Sequence, residues 1–211
     1  MMGERCITEP MLDQLREKIA TTMSKKRYDH TLGVEKMAAR LGALYCPSEI
    51  SVLRAAALLH DITKEESFEK QLQLCEKFDI IVDEIAKKAP KTRHAMTAAA
   101  LIGEQYPEFA DPRVIDAVRW HTTGRANMTL LEQLLYLADY IDDTRYFADC
   151  VLLREMFWSA KPEEMDSQMR RLHLHRVLLH SYDLTIKALL EEGSPISEDS
   201  FRARNQLLLA L

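Results

Sequence analysis

The chain is poor in the two residues that punctuate loops and turns, with 6 glycines and 7 prolines in 211 residues. Long stretches rich in Ala, Leu, Glu and Lys fill the space between them, which points to helices. No strand-type alternation stands out, and neither does an internal repeat or a low-complexity segment. Four cysteines (Cys6, Cys46, Cys75, Cys150) lie far apart and form no Cys-x-x-Cys pair. That excludes a disulfide frame or a zinc knuckle and reads as free thiols in a reducing compartment. No apolar run approaches the ~18–20 residues needed to span a bilayer. The N-terminal Met-Met-Gly-Glu-Arg-Cys leads into no apolar signal-type region. We therefore expect a soluble, cytoplasmic protein without a membrane partner. A basic surplus is also missing: the net charge is −5, which argues against a general nucleic-acid binder. It leaves room for a phosphate substrate held by a local cluster of cations. No Gly-x-Ser-x-Gly occurs, and no cysteine neighbours the histidines singled out below, so a nucleophilic triad is a poor reading.

What is present is an ordered set of helices and a hydrophobic fraction of 47%, ample for a core. Thr8 and Pro10 open a first helix running to about Met23, with Leu12, Leu15 and Ile19 inward. Ser24 begins a second, on which His30, Val34, Met37, Leu41 and Leu44 share one face. A third starts near Glu49 and carries Leu53, Ala56 and Ala57 down to His60-Asp61. The next helical stripe reads Phe68, Leu72, Cys75 and Phe78. Lys87 to Arg93 reads as a basic loop, with His94 opening the helix after it. Asp111-Pro112 caps a helix that carries Val114, Val118 and His121. Thr129 to about Asp143 forms a strong helix with Asp139 near its apolar face. Further helices follow, the last with Phe201, Leu207, Leu208 and Leu211 as its apolar stripe. The fold class is all-α.

His60-Asp61 is the pair that asks for an explanation. Neighbours on a helix point about 100° apart, so both reach one ion only if the helix stops between them or just after. His30, His94, His121 and Asp139 are further polar residues on otherwise apolar faces, each on a different segment. A buried carboxylate such as Asp139 requires a cation or a donor. A divalent metal meets that need, and His and Asp ligands without cysteine suit Fe, Mn, Co or Zn. Any one inward histidine is more often a satisfied core residue. It is the ordered set that carries weight.

Four strings match a known pattern in order: Arg27-Tyr28-Asp29-His30-Thr31-Leu32-Gly33-Val34, Ala57-Leu58-Leu59-His60-Asp61-Ile62-Thr63-Lys64, His121-Thr122-Thr123-Gly124-Arg125 and Leu137-Ala138-Asp139-Tyr140-Ile141. Together they resemble the HD-domain superfamily of metal-dependent phosphohydrolases, and within it the YqeK branch. Two departures stand out. Asp142-Asp143 replaces the usual Glu-Pro, and Arg93-His94-Ala95-Met96 replaces a glycine-rich turn. The resemblance covers roughly Lys25 to Phe157 and implies an HD-type helical bundle, taken here as 1–160; residues 161–211, outside the match, read as a C-terminal helical extension packed on it. It implies symmetrical hydrolysis of diadenosine tetraphosphate to two ADP, with iron first among the metals and a second ion left open. His30, His60, Asp61 and Asp139 would bind the metal. Asp61, His94 and His121 would be catalytic, the two histidines either ligating a second metal or contacting phosphate. Lys64, Thr122, Arg125 and Arg145 would contact the nucleotide phosphates, joined by His30, His94 and His121. A homodimer is left open. Other readings are a hydrolase of simple nucleotides, a nucleotide-sensing module that passes its signal through the C-terminal helices, and an oxygenase built on a similar helical di-iron site.

Overall fold

The computed structural model describes residues 6–82 and 84–211. The Met1–Arg5 part of the N-terminal stretch lies outside them. Among these described residues eleven α-helices follow in order: α1 (Glu9–Ala20), α2 (Lys25–Tyr45), α3 (Ile50–Leu59), α4 (Phe68–Lys77), α5 (Glu84–Lys88), α6 (Pro90–Gln105), α7 (Pro112–Trp120), α8 (Leu130–Ile141), α9 (Ala148–Ser159), α10 (Ser167–Glu191) and α11 (Glu198–Leu209). No strand occurs among the described residues. None of the described helices is long and apolar enough to cross a membrane.

Local chemistry sets the helix starts. Ser24 Oγ accepts from the Arg27 amide at 3.2 Å, and Asp111 Oδ1 accepts from the Arg113 amide at 2.9 Å with Pro112 behind it. Thr129 and Glu132 form a reciprocal capping box at the head of α8. Helix α3, ISVLRAAALL, is buried on nearly all sides and packs against α1, α2, α7 and α8. Each fully buried leucine on it, such as Leu53, Leu58 and Leu59, contributes about 1.5–3 kcal/mol. One hydrophobic cluster runs from Ile7 through α3 and α8 to Leu174, Tyr182 and Leu207.

Three local expectations change. On α4, Phe68 and Leu72 are exposed, and Gln71 turns inward with Leu74 and Cys75. The reason is a buried carbonyl: Gln71 Nε2 donates to the Thr63 oxygen at 2.5 Å, and its Oε1 accepts from Thr97 at 2.7 Å. The basic stretch 87–93 is not a loop, because α6 begins at Pro90, a residue suited to a first helical position. His94 therefore lies inside the first turns of α6. Arg93 is almost fully buried, its guanidinium 4.5 Å from the Phe68 ring centre. On α11, Phe201 and Leu208 are exposed, as is Leu211 beyond its end, while Ser200, Ala203 and Leu207 face inward. Ser200 Oγ donates to the Thr123 carbonyl at 3.0 Å.

Candidate metal centre

Helix α3 ends at Leu59, and His60 is its C-cap. The helix therefore stops at the dipeptide, and the turn that follows lets both side chains face one point. Lys64 N closes this turn on the Asp61 carbonyl at 3.0 Å. His30 comes from α2, Asp139 from α8, His94 from α6, and His121 caps the end of α7.

His30, His60 and Asp139 form a group able to hold an ion, and Asp61 Oδ2 borders it. His30 Nε2 is 3.0 Å from Asp139 Oδ1 and 3.8 Å from Asp61 Oδ2. His60 Nε2 is 3.3 Å from Asp61 Oδ2 and 3.7 Å from Asp139 Oδ1. Ligands held ~2.0–2.2 Å from one ion at ordinary coordination angles are about 3 to 3.5 Å apart, close to this spacing. His60 Nδ1 lies 2.6 Å from the Ala57 carbonyl. A carbonyl only accepts, so in the neutral ring Nδ1 carries the proton and Nε2 presents a lone pair to the cluster. His30 Nε2 and His60 Nε2 are buried without a hydrogen-bond partner. Leaving such atoms unmatched is costly, and a divalent ion satisfies them. The donor set fits the metal.

A second group lies across Asp61. His94 Nε2 is 3.1 Å from Asp61 Oδ1 and 3.0 Å from His121 Nε2. His121 Nδ1 is 2.7 Å from the Val118 carbonyl, so its Nε2 too faces the cleft as a lone pair. Thr122 Oγ1 sits 3.3 and 3.2 Å from the two Nε2 atoms. Lys64 Nζ lies 3.1 Å from His94 Nε2. His60, Asp61 and His121 also form a group able to hold an ion.

The electrostatics divide along the same line. Burial alone would lower the His30 pKa, but Asp139 and Asp142 outweigh it and raise it to about 9. Burial lowers His94 to about 4, with Lys64 adding to the effect against Asp61. His121 is lowered, chiefly by burial. Burial pushes Asp61 and Asp139 upward, yet neighbouring histidines, and Arg145 beside Asp139, hold both well below the usual carboxylate range. Burial lowers Lys64.

Of the residues predicted from sequence, His30, His60, Asp61, Lys64, His94, His121, Thr122, Asp139 and Arg145 meet in this cleft. Arg145 Nη2 is 2.5 Å from Asp139 Oδ1. Arg125 is turned elsewhere: its guanidinium forks the fully buried Glu132 at 2.6 and 3.0 Å. Gly124, with a positive φ of 65°, permits the turn after His121; a Cβ there would collide with the Tyr182 hydroxyl on α10. Two neighbours were not assigned roles from sequence. Arg27 Nη1 sits 2.5 Å from Asp61 Oδ2, and its place three residues before His30 on α2 was the available signal. Asp142, fully buried, faces the other edge of His30.

Comparison with known proteins agrees with this geometry. The HD-domain family model matches residues 27–144. A symmetrical bis(5'-nucleosyl)-tetraphosphatase of Halalkalibacterium halodurans is 32% identical over 188 residues, covering 89% of this chain and 91% of the relative. One of the same name from Bacillus subtilis is 30% identical, covering 88% of this chain and 91% of the relative. A crystal structure from Clostridium acetobutylicum, described as a predicted HD superfamily hydrolase involved in NAD metabolism, superposes with a TM-score of 0.81 at 30% identity. It covers 94% of this chain and 97% of the other. HD-domain hydrolases bind divalent metals, and the His/Asp cluster of this chain fits one. The sequence match, the fold and the centre agree: the chain belongs to the HD-domain family of hydrolases.

Proposed function

We propose that this protein hydrolyses dinucleoside polyphosphates, cleaving diadenosine tetraphosphate symmetrically to two ADP. The observation that carries the reading is the grouping of His30, His60 and Asp139, with Asp61 joining them to His121, beside His94 and Lys64. The relatives that are symmetrical bis(5'-nucleosyl)-tetraphosphatases by name supply the substrate. The metal we propose is iron, with Mn, Co or Zn able to replace it. A bound divalent ion supplies Lewis-acid polarisation of a phosphoryl oxygen and eases deprotonation of water.

The protein residues supply the rest. Asp61 spans both halves of the cleft, one oxygen toward His30 and His60 and the other toward His94 and His121. It is placed to orient the attacking water. His94 and His121, neutral in the resting cleft, take up the proton released by the attacking water and pass it to the leaving phosphate. Lys64 and Arg145 neutralise the polyphosphate, and Thr122 offers its hydroxyl to a phosphate oxygen. For Arg125 we propose a supporting role through Glu132 instead of direct phosphate contact. Residues 161–211 act as a helical extension of the catalytic domain over 1–160, and we place the enzyme in the cytoplasm.

Product analysis tests the reading. Protein loaded with Fe(II) or Mn(II) is incubated with diadenosine tetraphosphate, and the nucleotides are separated by chromatography. Two ADP per substrate is the expected outcome. ATP plus AMP overturns symmetrical cleavage. Intact diadenosine tetraphosphate alongside consumed NAD or simple nucleotides overturns the substrate.

A further inference from the structure

The edge of His30 turned away from the metal point meets a small, tightly built turn at the end of α8. Asp142 is the C-cap of that helix. Its Oδ1 accepts from the Thr144 amide at 2.8 Å and from the Thr144 hydroxyl. Its Oδ2 faces His30 Nδ1 at 3.4 Å. Thr144 Oγ1 lies 3.2 Å from the same Nδ1. A hydroxyl has one proton. The Thr144 proton is given to Asp142, so toward His30 this oxygen only accepts. Both atoms facing Nδ1 are therefore acceptors, and they favour a proton on that nitrogen.

The backbone around the turn is built for this approach. Gly33 lies three residues after His30, on α2. A Cβ there would come within 2.7 Å of Thr144 Cγ2 and 2.8 Å of Asp142 Oδ1. Such contacts would push the turn away from His30. Arg154, from α9, donates to the carbonyls of Asp142 and Arg145 and holds the turn from its outer side. The carboxylate is fully buried, where an unanswered charge is costly.

We infer that Asp142 and Thr144 form a positioning pair that holds the Nδ1 proton of His30, orienting the ring so that its Nε2 lone pair faces the metal. His60 and His121 obtain the same protonation pattern from backbone carbonyls one helical turn back. His30 lies in the second turn of α2, where the helix itself uses those carbonyls, so another segment provides the acceptor. A carboxylate behind a metal-bound histidine both fixes the ring and raises its basicity as a ligand. The inference rests on the metal-centre reading above.

The test measures metal affinity in addition to turnover. Mn(II) is titrated into chelator-treated protein, and the free ion is followed by electron paramagnetic resonance. Thr144→Val removes the hydroxyl at nearly constant shape, Thr144→Ser restores it, and Asp142→Asn removes the charge. Thermal unfolding of each metal-free variant controls for folding. Thr144→Val and Asp142→Asn are expected to weaken Mn(II) binding about 10–100-fold, with Thr144→Ser close to the parent. Parent-like affinity in Thr144→Val overturns the inference while leaving the centre intact. Weakening that Thr144→Ser fails to restore also overturns it, since the methyl packing and not the hydroxyl would then be at work. A parent protein that binds no Mn(II), together with a His60→Ala variant that behaves identically, overturns the metal-centre reading itself. If Asp142→Asn fails to fold, the Thr144 pair of variants still decides.

Discussion

His30 and His94 are the same residue type on either side of one carboxylate, yet their surroundings drive them in opposite directions. His30 Nε2 faces Asp139 at 3.0 Å, with Asp142 behind the ring, and its pKa rises to about 9. His94 is buried beside Lys64, and its pKa falls to about 4. One half of the cleft gathers the carboxylates of Asp61, Asp139 and Asp142, partly balanced by Arg27 and Arg145, and their oxygens suit a cation. The other joins neutral imidazoles to a cationic lysine, which suits an anionic phosphate. The division teaches that ligand identity here follows local charge balance, because the residue types on the two sides overlap.

The largest effect should come from breaking the two halves separately. His60→Ala is expected to abolish both metal retention after dialysis and hydrolysis. His94→Gln should keep the metal while turnover drops by about 10²–10⁴-fold, the usual range for a proton-transfer group. Metal analysis alongside kcat checks this. Complete metal loss in His94→Gln would erase the distinction.

A second effect concerns the pH dependence of stability in metal-free protein. His30 titrates above its unfolded value of ~6.5. The native state then binds the extra proton between about pH 6.5 and 9, so this contribution is full below 6.5 and is lost as pH rises through 9. His94 titrates below its unfolded value. Its contribution is present above 6.5 and is lost as pH falls toward about 4. Urea midpoints measured across pH 4.5–9.5 should therefore lose part of their alkaline arm in His30→Gln and part of their acid arm in His94→Gln. Changes on the same arm in both variants would contradict the opposed electrostatics.

The smallest effect on turnover is expected outside both halves. Arg125→Gln leaves Glu132, which is fully buried, without its cation. Stability should fall by about 1–3 kcal/mol, seen in the unfolding midpoint, with kcat within a few-fold of the parent. A large rise in KM for diadenosine tetraphosphate at unchanged stability would return Arg125 to the phosphate site.

The helices were legible because their signals are local. Capping residues such as Ser24, Asp111 and Thr129 sit where the chain must supply acceptors for free amides. Apolar stripes also read well wherever packing alone chose the inward face, as with Leu12, Leu15 and Ile19. They failed where a polar residue was needed inside. Gln71 and Ser200 displace the expected Phe68, Leu72 and Phe201 because two site turns, at Thr63 and Thr123, have carbonyls that need donors. No periodicity count contains that demand.

For the centre, sequence by itself determined the cast: a His-Asp pair at a helix end and inward histidines and an aspartate from separate helices. Those residues stand out because a polar group on an apolar face must be answered by something. Only the tertiary structure decided which atoms share a point, and that His94 faces a lysine as well as a carboxylate. It also turned Arg125 onto Glu132 and brought Asp142 and Thr144 behind His30. Distances between residues far apart in the chain, 34 positions in the case of Arg27 and Asp61, are set by how helices cross, and a linear pattern does not carry that geometry.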